Sequence, residues 1–373
     1  MTPWLRRRAH RIFHPLAGAD PGTLAAVLRG GGGVAPRHLH RVATALGSAA
    51  LRAPLDALER RAVERRLVEA PPMPPPVFIL GHWRSGTTHL LNVLSRDPRF
   101  GVPTPLAVGL PWGFLGLNRF WRARLEEWLP PDRIIDPIPV TPDAAQEDEL
   151  ALALMQPLSY YHGIFFPRHL RAAFHRGVLF DDCDPQAVAR WCRCVAHFLE
   201  KLHLQQGGRR LLVKNPAHTA KVAHLRALWP DAVFIHIHRD PYQVYASTRR
   251  MLRTLLREFA LHAHDPGEVD ALVLDLYPRM MARFDADTAA LPPGRLVEIR
   301  YGDLVADPLG QIERVYHTLH LGCFDEARPH FEGYLDTVRD YRPRTHGQAE
   351  DGAVHVGTAW KFAFDRWGYP LRC

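Results

Sequence analysis

The chain has 373 residues, enough to bury a full hydrophobic core, and its 47% hydrophobic and 23% charged residues are ordinary for a soluble globular protein. Its net charge of +8 suits an anionic ligand. However, 43 of the 47 basic residues are arginines, and this bias, together with 33 prolines, indicates a GC-rich genome. Nucleic acid is therefore not an expected partner. Five cysteines without a CxxC pair argue against a disulfide scaffold and favour a reducing cytoplasm.

Residues 1–70 are predicted to form a basic helical extension. The start of the chain has no clean apolar stretch and no cleavage site, so a signal peptide is not expected. Residues 42–67, VATALGSAALRAPLDALERRAVERRL, place arginines among small apolar residues. This pattern is typical of a helix that lies on an anionic membrane surface, and equally of a solvated face of a helix that packs on the main domain.

A proline-rich linker, PPMPPP at 71–76, separates this extension from a main domain at 77–373, because proline cannot continue a helix. In the main domain, runs rich in branched residues predict strands at 77–80, 211–213, 232–237 and 296–299. Helical patterns are found at 142–156, 186–205, 217–229, 241–262 and 308–321. Strands that alternate with helices predict an α/β fold with a central parallel sheet flanked by helices. The longest charge-free stretch, 100–118, contains three prolines and four glycines, so no membrane-spanning helix is expected.

The sequence GHWRSGTT at 81–88 follows the first predicted strand and opens a helix, the context that a phosphate-binding loop needs. The candidate anion-binding residues are Arg84, Ser85, Gly86, Thr87 and Thr88. The nucleotide triphosphatase pattern has a lysine where this chain has Thr87, and no strand ends in an acidic residue suited to Mg²⁺. These features predict a metal-free anion site, the alternative being a glycine turn that binds nothing.

A second candidate anion site lies in AVFIHIHRDPYQVYASTRRM at 232–251. Arg239 follows a buried strand, and Pro241 stands at a preferred first position of a helix. Ser247 comes eight residues after Arg239, about two helical turns along. The two side chains reach one phosphate if the turn between them folds back.

The lysine-free S-G-T-T loop, the later R-x₇-S element and the YGDLVADP stretch at 301–308, in this order, resemble the sulfotransferase family over about residues 77–321. The resemblance implies the P-loop-like fold of that family and the donor 3′-phosphoadenosine 5′-phosphosulfate (PAPS). It implies that the first loop holds the 5′-phosphosulfate, that Arg239 and Ser247 hold the 3′-phosphate, and that Tyr301 lies near the adenine.

The chain departs from the family pattern at three positions. Arg84 replaces the usual lysine before S-G-T-T, which keeps the charge but changes its geometry. His89 replaces a tryptophan that often stacks on adenine, and Asp240 replaces an asparagine. The last two departures are typical of a bacterial branch of the family.

Sulfuryl transfer needs a base for the acceptor proton and a cation for the bridging oxygen. Lys214 and His218, in LLVKNPAHTAKVAHL at 211–225, are candidates because the family has a catalytic Lys-x-His in this region. His218 fits equally well as a capping or surface histidine. Glu147 and Glu149 are rival bases in a helix expected to start with Thr141 as N-cap and Pro142, although acidic residues there also suit the helix dipole.

The expected acceptor is a small-molecule or lipid-like hydroxyl compound (or an amine), because Trp112 and Phe114 lie in the charge-free segment where the family commonly places acceptor contacts. An ordinary core loop explains the same segment equally well. The resulting hypothesis is a cytoplasmic sulfotransferase, with peripheral contact at the inner membrane surface through the basic helix. The alternatives are a phosphotransferase or nucleotide hydrolase of the P-loop type and a non-catalytic nucleotide-binding module at a membrane surface.

Overall fold

The computed structural model describes residues 14–116, 141–339 and 353–372. Its central sheet is entirely parallel, with the strand order β2-β3-β1-β4-β5. The strands are β1 (Val77–Leu80), β2 (Phe100–Gly101), β3 (Arg210–Lys214), β4 (Val233–His238) and β5 (Leu296–Arg300). The predicted parallel sheet is therefore confirmed, and the four strands expected from the sequence are all present.

The α-helices of the described residues mostly follow or precede these strands. They are α1 (Pro21–Gly30), α2 (Leu39–Glu69), α3 (Thr87–Leu94), α4 (Pro105–Gly109), α5 (Glu149–Met155), α6 (Tyr161–Phe165), α7 (Leu170–Phe174), α8 (Pro185–Gln205), α9 (Val222–Leu228), α10 (Pro241–Phe259), α11 (Gly267–Thr288), α12 (Tyr301–Ala306), α13 (Pro308–Leu319), α14 (Phe324–Thr337), α15 (Ala353–Ala359) and α16 (Lys361–Trp367). None of the helices in the described ranges is both long and apolar enough to cross a membrane.

The chain divides into two compact units. The helical unit holds the described residues within Met1–Met73, Pro103–Gly208 and Arg253–Asp265. The sheet unit holds Pro74–Val102, Arg209–Leu252 and the described residues within Pro266–Cys373. The division into an extension at 1–70, a linker at 71–76 and a domain at 77–373 stays a prediction.

In the sheet unit, β1 is the middle strand, and all four of its residues are fully buried. An uninterrupted apolar strand is what a parallel sheet covered on both faces requires. Its last residues pair with both neighbours, Ile79 with Lys214 of β3 and Leu80 with His236 of β4. The carboxyl ends of β3, β1 and β4 therefore lie next to one another.

In the helical unit, a buried ion pair fixes the segment that follows α4. The ammonium of Lys201, on α8, lies 2.7 Å from a carboxylate oxygen of Glu59 on α2. The same ammonium donates to the carbonyl oxygens of Pro111, at 2.9 Å, and Trp112, at 2.7 Å. Phe114 is fully buried with Lys201 Nζ 4.2 Å from its ring centre, so the core-loop interpretation fits this residue.

The helix expected at 142–156 is much shorter than predicted. It begins at Glu149, with Asp148 as N-cap, so the proposed capping role of Thr141 is wrong. The backbone N–H of Ala144 donates to Thr141 O at 3.0 Å in a turn, and that of Gln146 donates to Pro103 O at 2.9 Å. The bond to Pro103 replaces the hydrogen bonds that a continuous helix would have formed.

Candidate active site

Two glycines shape the loop after β1, and a larger residue at either position would displace neighbouring atoms. Gly81 has φ +141° and Gly86 has φ +105°, in the region that favours glycine. A Cβ at position 81 would lie 2.4 Å from the carbonyl oxygen of Ile237, and a Cβ at position 86 would lie 2.2 Å from the ring of Tyr301. The two glycines let the loop lie directly against β4 and Tyr301.

The loop leads straight into α3, whose first residue is Thr87 and whose N-cap is Gly86. Gly86 has no side chain to cap the helix, and the N-terminus of a helix is a general binding position for anions. Ser85 closes the loop internally, since its hydroxyl donates to the carbonyl oxygen of His82 at 2.8 Å. The sequence pattern therefore forms the strand, loop and helix arrangement that it predicted.

Arg84 links this loop to α10. Its φ of +70° is in the left-handed region, which costs an ordinary residue about 1 kcal/mol or more. Its Nε donates to Ser247 Oγ at 2.9 Å. The neighbouring hydroxyl of Thr248 donates to the carbonyl oxygen of Trp83 at 3.2 Å. Two consecutive residues of α10 thus hold the loop in place.

Arg239 lies between the end of β4 and the start of α10. Its Nη2 donates to Gln243 Oε1 at 2.6 Å, and its Nη1 lies 3.5 Å from the carbonyl oxygen of Arg84. Burial lowers the pKa of the Arg239 guanidinium, and the nearby charge of Arg84 lowers it further. The charge of Arg84 acts on Arg239, so the two side chains together create a positive potential that favours an anion.

Tyr301 completes this side of the site at the start of α12, directly after β5. The guanidinium carbon of Arg239 lies 4.4 Å from the centre of its ring, a cation–π distance. The edge of the same ring contacts Gly86, as the glycine geometry requires. The structure therefore brings three sequence elements, from the ends of β1, β4 and β5, to one edge of the sheet, where ligands of open α/β folds bind.

Lys214 reaches the same loop from the end of β3. It is 1% exposed, and its ammonium lies 3.4 Å from Thr88 Oγ1 in the first turn of α3. A buried cation beside a helix N-terminus adds to the positive potential there. The structure therefore places the candidate catalytic residue Lys214 in contact with the loop.

His218 follows Lys214 on a 3₁₀ turn, Pro216–Ala220, and not on the helix expected from residue 217, since α9 begins at Val222. It is fully buried, and its ring packs edge-on against Phe78 at 5.9 Å between ring centres. The surface interpretation of His218 is therefore wrong, while its role as a base stays a prediction.

Glu147 and Glu149 belong to the helical unit. Glu149 is fully buried, and its carboxylate accepts a hydrogen bond from Ser159 Oγ at 2.6 Å. Glu147 is half-buried in the segment that precedes α5. The choice between these two glutamates and His218 stays open.

His82 and Trp83, inside the loop, are packed residues. They are 2% and 4% exposed, and the His82 ring lies 4.9 Å from that of Tyr277. Burial lowers the pKa of His82 to about 3, so its ring is neutral at physiological pH. Both side chains hold the loop on the core of the sheet unit.

One positioning residue was not predicted from the sequence. The backbone N–H of Gly81 donates to Thr219 Oγ1 at 2.8 Å, and Thr219 is fully buried. This bond ties the start of the loop to the turn that carries His218. The sequence places a threonine directly after the candidate Lys214-to-His218 segment, but its burial and its bond to Gly81 are visible only in the fold.

In the described ranges, no group of three or more His, Cys, Asp or Glu side chains is arranged to hold a metal ion. The positive charges of the site come from Arg84, Arg239 and Lys214. Together with the N-terminus of α3, they form an arrangement able to bind a ligand with two separated anionic groups.

The sequence profile of the sulfotransferase family matches residues 75–326. The chain is 31% identical over 305 residues to omega-hydroxy-beta-dihydromenaquinone-9 sulfotransferase Stf3 of Mycobacterium bovis, which covers 82% of this chain and 78% of the relative. The protein of the same name from Mycobacterium tuberculosis gives the same values, with 31% identity over 82% of this chain and 78% of its own.

Two solved structures share the fold. Sulfotransferase STF9 from Mycobacterium avium superimposes with a TM-score of 0.68 at 17% identity, over 95% of this chain and 98% of its own. Sulfotransferase STF1 from Mycobacterium tuberculosis H37Rv gives a TM-score of 0.58 at 20% identity, over 84% and 85% of the two chains. At such low identity these likenesses show the fold alone.

Proposed function

Because the chain belongs to the sulfotransferase family and is a sulfotransferase, we propose that it transfers the sulfuryl group of PAPS to a hydroxyl of a hydrophobic acceptor. The observation that carries the donor assignment is the 2.9 Å bond between Arg84 and Ser247, which joins the two candidate anion sites. A donor that carries a 3′-phosphate and a 5′-phosphosulfate on one ribose needs two such sites side by side.

Each part of the donor has a proposed set of contacts. The N–H groups at the start of α3, with Arg84, Ser85, Thr87 and Thr88, would hold the 5′-phosphosulfate. Arg239 and Ser247 would hold the 3′-phosphate, and Tyr301 would lie near the adenine. The contact of the Tyr301 ring with both Gly86 and Arg239 supports this assignment, because it places the ring beside both anion sites.

The proposed transfer is a direct displacement. The acceptor oxygen forms a bond to sulfur while the bond from sulfur to the bridging phosphate oxygen breaks, which releases adenosine 3′,5′-bisphosphate. A general base takes the acceptor proton, and His218, Glu147 and Glu149 are the candidates. Lys214, which contacts the loop through Thr88, would balance the charge that develops on the bridging oxygen. The three cations of the site supply the positive charge without a metal ion.

The acceptor is proposed to be a lipid-like molecule with a free hydroxyl. The mycobacterial relatives are named for a hydroxylated menaquinone, and the identity of 31% over most of both chains supports an acceptor of the same chemical class. Such a molecule dissolves in a membrane. We place the enzyme in the cytoplasm with peripheral contact at the inner membrane surface.

Two measurements test this proposal. Titration calorimetry should show that adenosine 3′,5′-bisphosphate binds and that ATP with Mg²⁺ binds more weakly by at least about tenfold, because the loop has no lysine for a γ-phosphate. Radiolabelled sulfate should then move from PAPS to a long-chain prenyl alcohol. Tighter binding of ATP, or the absence of transfer to every hydroxylated lipid and phenol, would contradict the proposal.

A further inference from the structure

Helix α2 presents two different faces. Its buried face carries Ala45, Ala49, Asp56 and Val63. On another face, about a third of a turn away, lie three leucines spaced by four and three residues, the spacing of one helical stripe. Leu51 is 80% exposed, Leu55 60% and Leu58 63%. We call these three side chains the leucine stripe.

Exposed leucines in one row are unusual for a soluble helix, because burial of each would be favourable. Single exposed leucines are common and need no explanation, but three that share a stripe form one continuous apolar surface. Such a surface is typical of a helix that has an apolar partner.

Arginines follow the leucine stripe toward the C-terminal end of the helix. Helical geometry places Arg65 nearly in line with Leu58, Arg61 to one side of that line and Arg66 to the other, and all three are exposed. Exposed acidic residues on the same helix, Glu64 and Glu69, are fewer than its exposed arginines. An apolar stripe that continues into a cationic helix end matches the interface of an anionic bilayer, where leucines enter the acyl region and guanidinium groups meet lipid phosphates.

We propose that α2 is a membrane-docking helix, which inserts the leucine stripe into the surface of an anionic bilayer while Arg61, Arg65 and Arg66 bind the phosphates of its headgroups. This inference rests on the peripheral membrane contact included in the proposed function and assigns it to one helix face. Docking through α2 would hold the enzyme at the surface in which a lipid acceptor is dissolved.

The test is sedimentation of the full chain with vesicles of phosphatidylglycerol and phosphatidylcholine in equal amounts. The triple variant Leu51→Ser, Leu55→Ser and Leu58→Ser is expected to bind at least about tenfold more weakly, because each leucine loses most of its transfer free energy. The matched control replaces Leu46 and Val68 with serine. These are 50% and 87% exposed on the same helix but off the stripe, so binding should be unchanged.

A charge variant tests the arginines separately. Replacement of Arg61, Arg65 and Arg66 by glutamine should weaken binding by about fivefold per arginine at low salt, with little effect on vesicles of pure phosphatidylcholine. Binding of the wild-type chain should decrease as salt concentration rises.

Three results would overturn the proposal. The first is vesicle binding that does not depend on the leucine stripe, either because the leucine variant binds as well as the wild type or because the wild type does not bind at all. The second is a leucine variant that converts a dimer to a monomer, which identifies a second copy as the partner of the stripe. The third is a clear loss of thermal stability without a change in vesicle binding, which identifies another part of the same chain.

Affinity for adenosine 3′,5′-bisphosphate, measured on the same variants, separates this inference from the proposed function. Loss of vesicle binding with intact nucleotide affinity supports the role of the stripe. If the wild-type chain binds vesicles but does not bind the nucleotide, the donor assignment is refuted and membrane docking is supported.

Discussion

Replacement of Gly86 by alanine tests the packing of the loop against Tyr301. The φ of +105° disfavours any residue with a Cβ, at a cost of about 1–2 kcal/mol. A Cβ at this position would lie 2.2 Å from the Tyr301 ring, and overpacking of this kind costs about 1–3 kcal/mol more. We expect Gly86→Ala to lower the free energy of unfolding in urea by about 2–5 kcal/mol.

The same substitution should weaken binding of adenosine 3′,5′-bisphosphate. To make room for a methyl group, the Tyr301 ring must move away from its position under Arg239, which shifts both the aromatic ring and the guanidinium. We expect at least about a tenfold loss of affinity by calorimetry, a change of about 1.4 kcal/mol. The matched control is Gly302→Ala, because a Cβ there meets nothing within 4 Å.

A double-mutant cycle isolates the contact itself. When Tyr301 is alanine, the clash with a methyl group at position 86 is gone, so Gly86→Ala should cost only the backbone term of about 1–2 kcal/mol. The two substitutions should therefore deviate from additivity by about 1–3 kcal/mol. Additive effects, or wild-type affinity in Gly86→Ala, would show that Tyr301 does not lie on the glycine.

Three further substitutions test buried contacts within a single unit. Thr219→Val removes the acceptor for the Gly81 N–H and should lower the free energy of unfolding in urea by about 1–3 kcal/mol. Thr219→Ser keeps the oxygen, so most of this stability should be retained in the same titration. Lys201→Met leaves the carboxylate of Glu59 buried without its cation and should cost about 3–5 kcal/mol by urea unfolding. His82→Gln should remove a pH dependence of the free energy of unfolding. Since burial lowers the pKa of His82 to about 3 from 6.5, its contribution to stability is complete above pH 6.5 and is lost as pH falls toward 3. Between pH 7 and pH 5 the wild type should lose about 2 kcal/mol more than the variant.

The substitution of Lys201 has a counterpart on the surface. Lys361→Met breaks an ion pair with Asp365 in which the lysine side chain is 62% exposed, so its cost should be below about 1 kcal/mol. Equal losses in a buried variant and its surface counterpart would contradict the packing described for that residue.

The strands were predictable because their apolar runs are long enough and end in clear loop signals. β1 and β4 are continuous rows of buried residues, and the parallel sheet follows from their alternation with helices. β2 was missed because it is two residues long, Phe100–Gly101, and pairs only at the edge of the sheet. Helix α11 was missed as well, and Pro278 in its interior obscures its pattern.

The family resemblance is confirmed, since the motifs that carried it are local in sequence. The contacts between these motifs are not local. Arg84 and Ser247 are 163 residues apart, and the bond from Gly81 to Thr219 spans 138 residues. No pattern in the sequence reports such pairs, so the bond that links the two candidate anion sites became visible only in the fold. The helix start at Thr141 failed for the same reason, because a bond to a distant residue, Pro103, outweighed a good local capping signal.

The central claim is that two neighbouring sites hold the two anionic ends of one adenosine compound. The most direct test is calorimetric titration of adenosine 3′,5′-bisphosphate into the double variant Arg239→Ala and Ser247→Ala, with Arg250→Ala, an exposed arginine on the same helix, as control. The loss of two hydrogen bonds to a charged phosphate should weaken binding by about a hundredfold or more, while the control binds as the wild type does. Unchanged affinity in the double variant would contradict the account.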